Sequence, residues 1–310
     1  VTELLSVVIP THDRPDRVTD AVRSVLDQDH PALEVIVVDD GSQAATGEVL
    51  DRLADSDPRV VVLRHDQARG ASAARNTGLE AARGELIGFC DDDDAWLAGA
   101  AAAAVTALTP TTGMAYGFHQ VLIEATGRLV TFRPPACTGP ELMRWINVPS
   151  ILFGVARRDR VGTELHFDPD LTTSEDWDLW LRCAELAPMA LVPTPLYRYV
   201  QHTGVRVTTS LATGVDSHRR FLDKHLASMT PACIAHHELA LALAARDRHA
   251  GLAQLRTVPR HPSNLGAGLL LAGELATSRI GPGRDDPGLT LRFAARMLGP
   301  ATRPLVGEAG

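Results

Sequence analysis

Two hydrophobic periodicities alternate along the first ninety residues. Leu4-Leu5-Ser6-Val7-Val8-Ile9 is a short β-branched run ended by Pro10, the pattern of a buried strand. Arg17 to Gln28 places Val18, Ala21, Val22, Val25 and Leu26 at helical spacing. Leu33 to Val38 reads as a second strand, stopped by the turn cluster Asp39-Asp40-Gly41-Ser42. Val49, Leu50 and Leu53 mark a second helix, and Val60 to Leu63 a third strand. Ala71 to Arg83 is a helix closed by Gly84, and Leu86 to Cys90 is a fourth strand that runs into Asp91-Asp92-Asp93-Asp94. This alternation predicts an α/β fold with right-handed crossovers and a mainly parallel sheet flanked by helices.

The middle of the chain is less regular. Met114 to Glu124 and Arg128 to Arg133 read as strands joined by a turn at Gly127, and Ile151 to Ala156 as another strand. Glu175 to Leu186 is a helix with Trp177, Trp180, Leu181 and Ala184 on one face, followed by two short strands at Ala190 to Pro193 and Leu196 to Val200. From about Ser210 the composition shifts to Ala, Leu, Arg and His at helical spacing, broken by Pro259, Pro262, Pro282 and Pro287. The division expected is a first domain over 1–209 and a C-terminal helical region over 210–310. That region would shape a substrate site or mediate homodimerisation.

Composition narrows the function classes. The 310 residues are 45% hydrophobic and 22% charged, and the mean hydropathy is -0.01. Such values exclude wholesale disorder, collagen-like repeats and a coiled coil. No apolar run reaches the ~18–20 residues that span a bilayer, so no transmembrane segment is expected. Val1 leads straight into strand-like sequence without a charged n-region and an apolar h-region, so no secretory signal is expected. Cys90, Cys137, Cys183 and Cys233 lie far apart with no CxxC pair, which fits reduced thiols and a cytoplasmic location better than a zinc site or disulfides. A net charge of -8 argues against nucleic acid as a partner. It leaves room for a small anionic ligand held by a local arginine.

Ligands of open α/β sheets bind beyond the carboxyl ends of the strands. Pro10-Thr11, Asp39 to Ser42 and the aspartate run should therefore line one rim. The first strand is followed by no Gly-x-Gly-x-x-Gly turn, which disfavours a dinucleotide site and a Walker-type loop. Four successive carboxylates repel unless a cation sits among them, and hard oxygen ligands suit Mg²⁺ or Mn²⁺. In an extended segment Asp91 and Asp93 point one way and Asp92 another; the plainer reading is that Asp93 or Asp94 caps a helix starting near Ala95. Asp40 serves either a turn or, from the rim, the imide N–H of a uracil ring. Arg69 to Asn76 surrounds a helix start with arginines and small residues, suited to an anion or simply solvated. In Glu175-Asp176-Trp177-Asp178, Thr173 or Ser174 is an N-cap candidate, and the helix N-terminus favours an ionised Asp176 able to act as a base. The two tryptophans read as core. His202 reads as a structural residue or a further metal ligand, and His236-His237 as surface.

Five stretches stand in order: Val7-Val8-Ile9-Pro10-Thr11, Val37-Val38-Asp39-Asp40-Gly41-Ser42, Ala74-Arg75-Asn76-Thr77-Gly78-Leu79, Phe89-Cys90-Asp91-Asp92-Asp93-Asp94-Ala95-Trp96 and Ser174-Glu175-Asp176-Trp177-Asp178-Leu179-Trp180. Together, over roughly residues 4 to 205, they resemble glycosyltransferase family 2, inverting enzymes of the GT-A (Rossmann-like) fold. The resemblance implies a sugar moved from a nucleotide-diphosphate sugar, a UDP-sugar above all, to an acceptor hydroxyl, with Mn²⁺ or Mg²⁺ as cofactor. It implies that Pro10, Thr11 and Asp40 meet the nucleotide base, that Arg75 lies near the diphosphate and that Asp92 meets the ribose or donor sugar. Asp91, Asp93 and His202 become metal ligands, and Asp176 the catalytic base. A sugar nucleotidyltransferase, a haloacid-dehalogenase-like phosphatase and a noncatalytic nucleotide-binding scaffold stand as alternatives. The first lacks its glycine-rich basic loop after the first strand and the second its downstream lysine. The third is at odds with the intact set Asp91, Asp93 and Asp176.

Overall fold

The β-branched run at the head of the chain is an interior strand of a nine-stranded sheet. In the computed structural model, which describes residues 2–149, 153–202 and 211–244, β1 (Leu5–Thr11) is buried along its whole length. It pairs in parallel with β2 (Leu33–Asp39) on one side and β4 (Leu86–Phe89) on the other. β3 (Val60–Arg64) extends the sheet in parallel beyond β2. The crossovers are α1 (Pro15–Leu26), α2 (Ala44–Ser56) and α3 (Ala71–Ala81). Helix α1 starts with Pro at its first position, where a missing N–H costs nothing. It buries Val18, Ala21, Val22 and Val25, each valine contributing about 1.5–3 kcal/mol.

After β4 the sheet becomes mixed. The strand order is β3-β2-β1-β4-β8-β6-β9-β5, with β7 paired to β6. The remaining strands are β5 (Ala95–Trp96), β6 (Met114–Ile123), β7 (Arg128–Phe132), β8 (Val155–Arg157) and β9 (Met189–Gln201). β8 runs antiparallel to both β4 and β6, whereas β9 runs parallel to β6. The parallel arrangement read from the sequence is thus the first half of a sheet that antiparallel strands complete. Two short strands predicted at 190–193 and 196–200 form one strand. Its Pro193 and Pro195 are accommodated by register shifts opposite Gly117 and Phe118, where a bulge removes the need for ladder donors. Of the strand predicted over 151–156, residues 151 and 152 lie outside the described residues.

The helix expected near Ala95 is absent. Ala95 and Trp96 pair with Arg198 and Tyr197, and α4 (Ala100–Ala107) begins only after Gly99. α5 (Pro140–Met143) and α6 (Arg158–Val161) are single turns, and α7 (Glu175–Leu186) coincides with the predicted helix. Trp177 and Trp180 of α7 are buried, and Trp180 meets Phe89 at 6.1 Å between ring centroids.

The chain divides into two compact units, Val1–Met143 with Val148–Val205, and Arg144–Asn147 with Arg206–Gly310. The described helices of the second are α8 (Leu211–His225) and α9 (Pro231–Ala244). The proline breaks expected at 259, 262, 282 and 287 lie outside the described residues. His236 and His237, read as surface residues, are buried. The His237 ring lies 5.1 Å from that of His218 and 5.9 Å from that of Phe221. Its Nε2 donates to the Arg144 carbonyl at 2.7 Å, which leaves Nδ1 to accept from His218 Nε2 at 3.0 Å. Burial holds His237 down at about 4 and His218 at about 3, so both rings are neutral and can pack as apolar faces. All four cysteines are free thiols and buried. Among the described residues no helix is long and apolar enough to cross a membrane.

Candidate active site

Residues Asp91 to Asp94 form a turn, closed by the Asp94 N–H on the Asp91 carbonyl at 3.1 Å. The alternation of an extended segment therefore does not apply, and the four carboxylates take four different sets of partners. Asp91 Oδ1 accepts from Arg75 at 2.6 Å. Asp92, buried at the mouth of β1, accepts from Thr11 Oγ1 and from Arg14, both at 2.8 Å. Asp93 Oδ2 accepts from the same Arg14 nitrogen at 3.0 Å and from His202 Nε2 at 2.8 Å. Asp94 accepts from the Val200 N–H at 2.8 Å and the Tyr197 hydroxyl at 2.9 Å, so it fastens β9 to the turn instead of capping a helix. Burial pushes Asp92 up to about 6 against the pull of Arg14, and pushes Asp94 well above the usual carboxylate range.

Asp40 is held by the loop that precedes α3. Its Oδ1 accepts from His65 Nδ1 at 2.7 Å and from the Arg69 N–H at 2.8 Å, and its Oδ2 from the Gly70 N–H at 2.7 Å. The Asp40 carboxylate therefore lies against the backbone that leads into α3. Gly41 makes the close approach possible: its φ is +74°, and a Cβ there would lie 2.6 Å from the Ala68 nitrogen. Pro10 is buried within β1, one residue before its end.

Arg75 is buried, and its guanidinium joins two acids, Asp91 at 2.6 Å and Glu175 at 3.1 Å, while lying 5.2 Å from the Phe167 ring centroid. Glu175 opens α7 directly before Asp176, whose Oδ1 accepts from the Trp177 N–H at 2.8 Å. Ser174 is the N-cap residue, but with φ 65° it makes no side-chain capping bond. Burial pushes Glu175 up to about 7, outweighing the attraction of Arg75. The contact chain Asp91–Arg75–Glu175 therefore ties the start of α7 to the acidic turn. Asn76 holds the intervening segment: its Nδ2 donates to the Phe167 carbonyl and its Oδ1 accepts from the Phe167 N–H, both at 2.8 Å.

The donor chemistry fits a small divalent ion. Asp93 Oδ2 and His202 Nε2 pair a carboxylate oxygen with an imidazole nitrogen in a 2.8 Å hydrogen bond, which an ion taken by both would replace. Among the described residues no three His, Cys, Asp or Glu side chains gather as a complete cage. An ion here would take one or two protein ligands and complete its shell with phosphate oxygens and water, as Mg²⁺ commonly does. Arg14, His65, Tyr197 and Asn76 were not singled out from the sequence. Arg14 stands in the Pro10-Thr11-His12-Asp13-Arg14 stretch directly beyond β1, which was the available signal; for His65 and Tyr197 there was none.

The family model described as Glycosyl transferase family 2 matches residues 6–132. TuaG of Bacillus subtilis, named a "putative teichuronic acid biosynthesis glycosyltransferase", is 42% identical over 93 residues, 30% of this chain and 37% of that protein. The GalNAc(5)-diNAcBac-PP-undecaprenol beta-1,3-glucosyltransferase of Campylobacter jejuni is 36% identical over 126 residues, 40% of each chain. The chain thus spans about two fifths of the length of these relatives. Among solved structures, S. aureus TarS 1-349 in complex with UDP-GlcNAc superposes with a TM-score of 0.61 at 16% identity, covering 95% of this chain and 88% of that one. The Pyrobaculum calidifontis mannosyltransferase PcManGT, in complex with GDP-Man and Mn²⁺, gives 0.60 at 19% identity, covering 96% and 86%. These two likenesses establish the fold.

Proposed function

Since the chain carries a glycosyltransferase family 2 domain over residues 6–132, we propose that it is an inverting, metal-dependent glycosyltransferase. It moves a sugar from a nucleoside-diphosphate sugar, a UDP-sugar by preference, to an acceptor hydroxyl in glycan, cell-wall or natural-product biosynthesis. The observation that carries this reading is the shared rim. Asp93 and His202 meet on it at 2.8 Å, and Asp176 is tied to the same turn through Glu175, Arg75 and Asp91. The names of the relatives support the reaction class: one is named for teichuronic acid biosynthesis and the other as a glucosyltransferase on an undecaprenol-linked glycan. The neighbours solved with UDP-GlcNAc and with GDP-Man support a nucleotide-sugar donor.

Asp93 and His202, with Asp91 on the same turn, are the residues that would hold Mn²⁺ or Mg²⁺. When bound, the ion supplies charge neutralisation at the departing diphosphate. Thr11 and Asp92 stand at the end of β1, where the nucleoside enters, and Asp40 orders the 65–70 loop that walls the base. Asp176 accepts the proton of the acceptor hydroxyl. The oxygen so released attacks the anomeric carbon from the face opposite the leaving group, the bond to the diphosphate breaks, and the configuration inverts.

The test is Asp176→Asn. The variant should fold, keep its thermal stabilisation by UDP with Mn²⁺, and lose transfer by about 10²–10⁴-fold, the range of general-base contributions. Transfer at the wild-type rate by this variant removes Asp176 from the mechanism. A panel of nucleotide sugars that gives no metal-dependent shift in melting temperature removes the donor class.

A further inference from the structure

We propose that Arg14 is a tethered counter-cation: it occupies Asp92 and Asp93 when no divalent ion is present, and so makes ion and nucleotide bind together rather than independently. The inference rests on the metal-dependent reading above and adds to it a residue that sets the order of binding.

The geometry is one of direct competition. A single oxygen, Asp93 Oδ2, accepts from Arg14 at 3.0 Å and from His202 at 2.8 Å. Oδ2 is thus the Asp93 oxygen that faces His202, and a cation held by that oxygen together with His202 meets Arg14. A guanidinium in contact with the oxygen and a divalent ion coordinated to it would place two positive charges within a few ångströms in a partly buried site, where repulsion is weakly screened. One of them has to leave.

The two arginines of the rim differ in their freedom to do so. Arg75 is boxed in by Asp91, Glu175 and the Phe167 ring, with its side chain only 5% exposed. Arg14 sits in the loop between β1 and α1, and its side chain is 30% exposed. Arg14 therefore yields and Arg75 stays. While in place, Arg14 offsets the repulsion between neighbouring carboxylates, one of which, Asp92, is buried. Its departure is disfavoured unless something else replaces its charge and something else accepts its donors.

A divalent ion alone meets only the first condition. It must displace a competitor that is covalently attached and hence present at high effective concentration. An ion arriving with a nucleoside diphosphate meets both, because phosphate oxygens suit the fork of a guanidinium released beside them. The result is positive coupling between the two ligands, which by linkage is reciprocal.

The experiment measures Mn²⁺ binding to the full chain, by electron paramagnetic resonance of free Mn²⁺ or by calorimetry, without and with UDP. The proteins are the wild type, Arg14→Met and Arg14→Lys. Wild type should bind Mn²⁺ weakly alone and about tenfold or more tightly with UDP, within the range of roughly 5–150-fold typical of coupled sites. Arg14→Met should bind Mn²⁺ alone about tenfold tighter than wild type, and its UDP enhancement should shrink by about the same factor, leaving the part that phosphate coordination supplies. Arg14→Lys, which keeps the charge, should stay near wild type. Wild type that binds Mn²⁺ equally well with and without UDP overturns the proposal without any variant. Arg14→Met that is no tighter than wild type for Mn²⁺ alone, while both bind with UDP, overturns this proposal and leaves the proposed function standing. Absence of Mn²⁺ binding in all three proteins even with UDP overturns both.

Discussion

Replacing Asn76 by alanine should weaken the protein more than its place on a helix suggests. Its amide makes two hydrogen bonds to one distant residue, donating to the Phe167 carbonyl and accepting from the Phe167 N–H, each at 2.8 Å and buried. Alanine leaves both backbone groups without their partner. A buried polar group so stranded costs about 1–3 kcal/mol, so the pair costs roughly 2–6 kcal/mol. Alanine's better helix propensity returns less than about 0.7 kcal/mol. For a domain of this size each kcal/mol lowers the melting temperature by about 2–4 °C, so the expected drop is on the order of 5–20 °C. Circular dichroism melts of the two proteins at one pH and salt concentration measure it. The same bracket positions the Phe167 ring 5.2 Å from the Arg75 guanidinium and 5.1 Å from Phe89. Transfer should therefore fall further than nucleotide affinity, because Arg75 is the strut to the start of α7. A melting temperature within about 2 °C of wild type would refute the reasoning, since it would mean that water or a neighbour satisfies Phe167 at no cost.

Glu175 gives a pH signature. Its folded-state value of about 7 lies above the ordinary 4.5 because burial disfavours the charge. The native state holds that proton more tightly than the unfolded chain, so the contribution is fully present below about pH 4.5 and is lost as pH rises through about 7. The melting temperature of wild type minus that of Glu175→Gln should therefore fall between about pH 5 and pH 8, and a flat difference would contradict the assignment. Gly78→Ala and Gly47→Ala should move in opposite directions. A Cβ at Gly78 would lie 2.4 Å from Val8 Cγ1, whereas at Gly47 it meets nothing within 4 Å. Overpacking of about 1–3 kcal/mol outweighs the helix-propensity gain of about 1 kcal/mol at the first site, and only the gain remains at the second. Chemical denaturation of the two variants measures both, and a stabilised Gly78→Ala would show that α3 shifts freely on β1.

The alternation of strand and helix over residues 5–89 was legible because buried parallel strands read as unbroken β-branched runs and amphipathic helices repeat every three or four residues. The helix at 175–186 was legible for the same reason, down to its buried tryptophans. The acidic turn was visible as a motif but not as a geometry: whether four aspartates extend, turn or cap depends on Tyr197 and Val200, more than a hundred residues away. Asp40 was legible as a rim residue, but the loop over 65–70 that surrounds it carries no periodic signal. The His236-His237 pair was misread because a neutral imidazole whose nitrogens are satisfied by another ring and a carbonyl packs like an apolar side chain, and neither partner is adjacent in sequence. Prolines at 193 and 195 suggested a break where a bulge lets one strand continue.

The bond from Asp94 to Tyr197 bears on any substitution survey of the four aspartates. The phenol hydroxyl receives the Asp91 N–H at 3.2 Å and gives its own proton to Asp94 at 2.9 Å, acting as a dowel between the turn and β9. Side by side in the primary structure, the fourth acid is carpentry, and under the function proposed above the third is a tool. Alanine at either position would silence the protein in an endpoint screen. Only measurements on the purified variants, one of mechanical integrity and one of ligand retention, would separate a broken joint from a blunted blade.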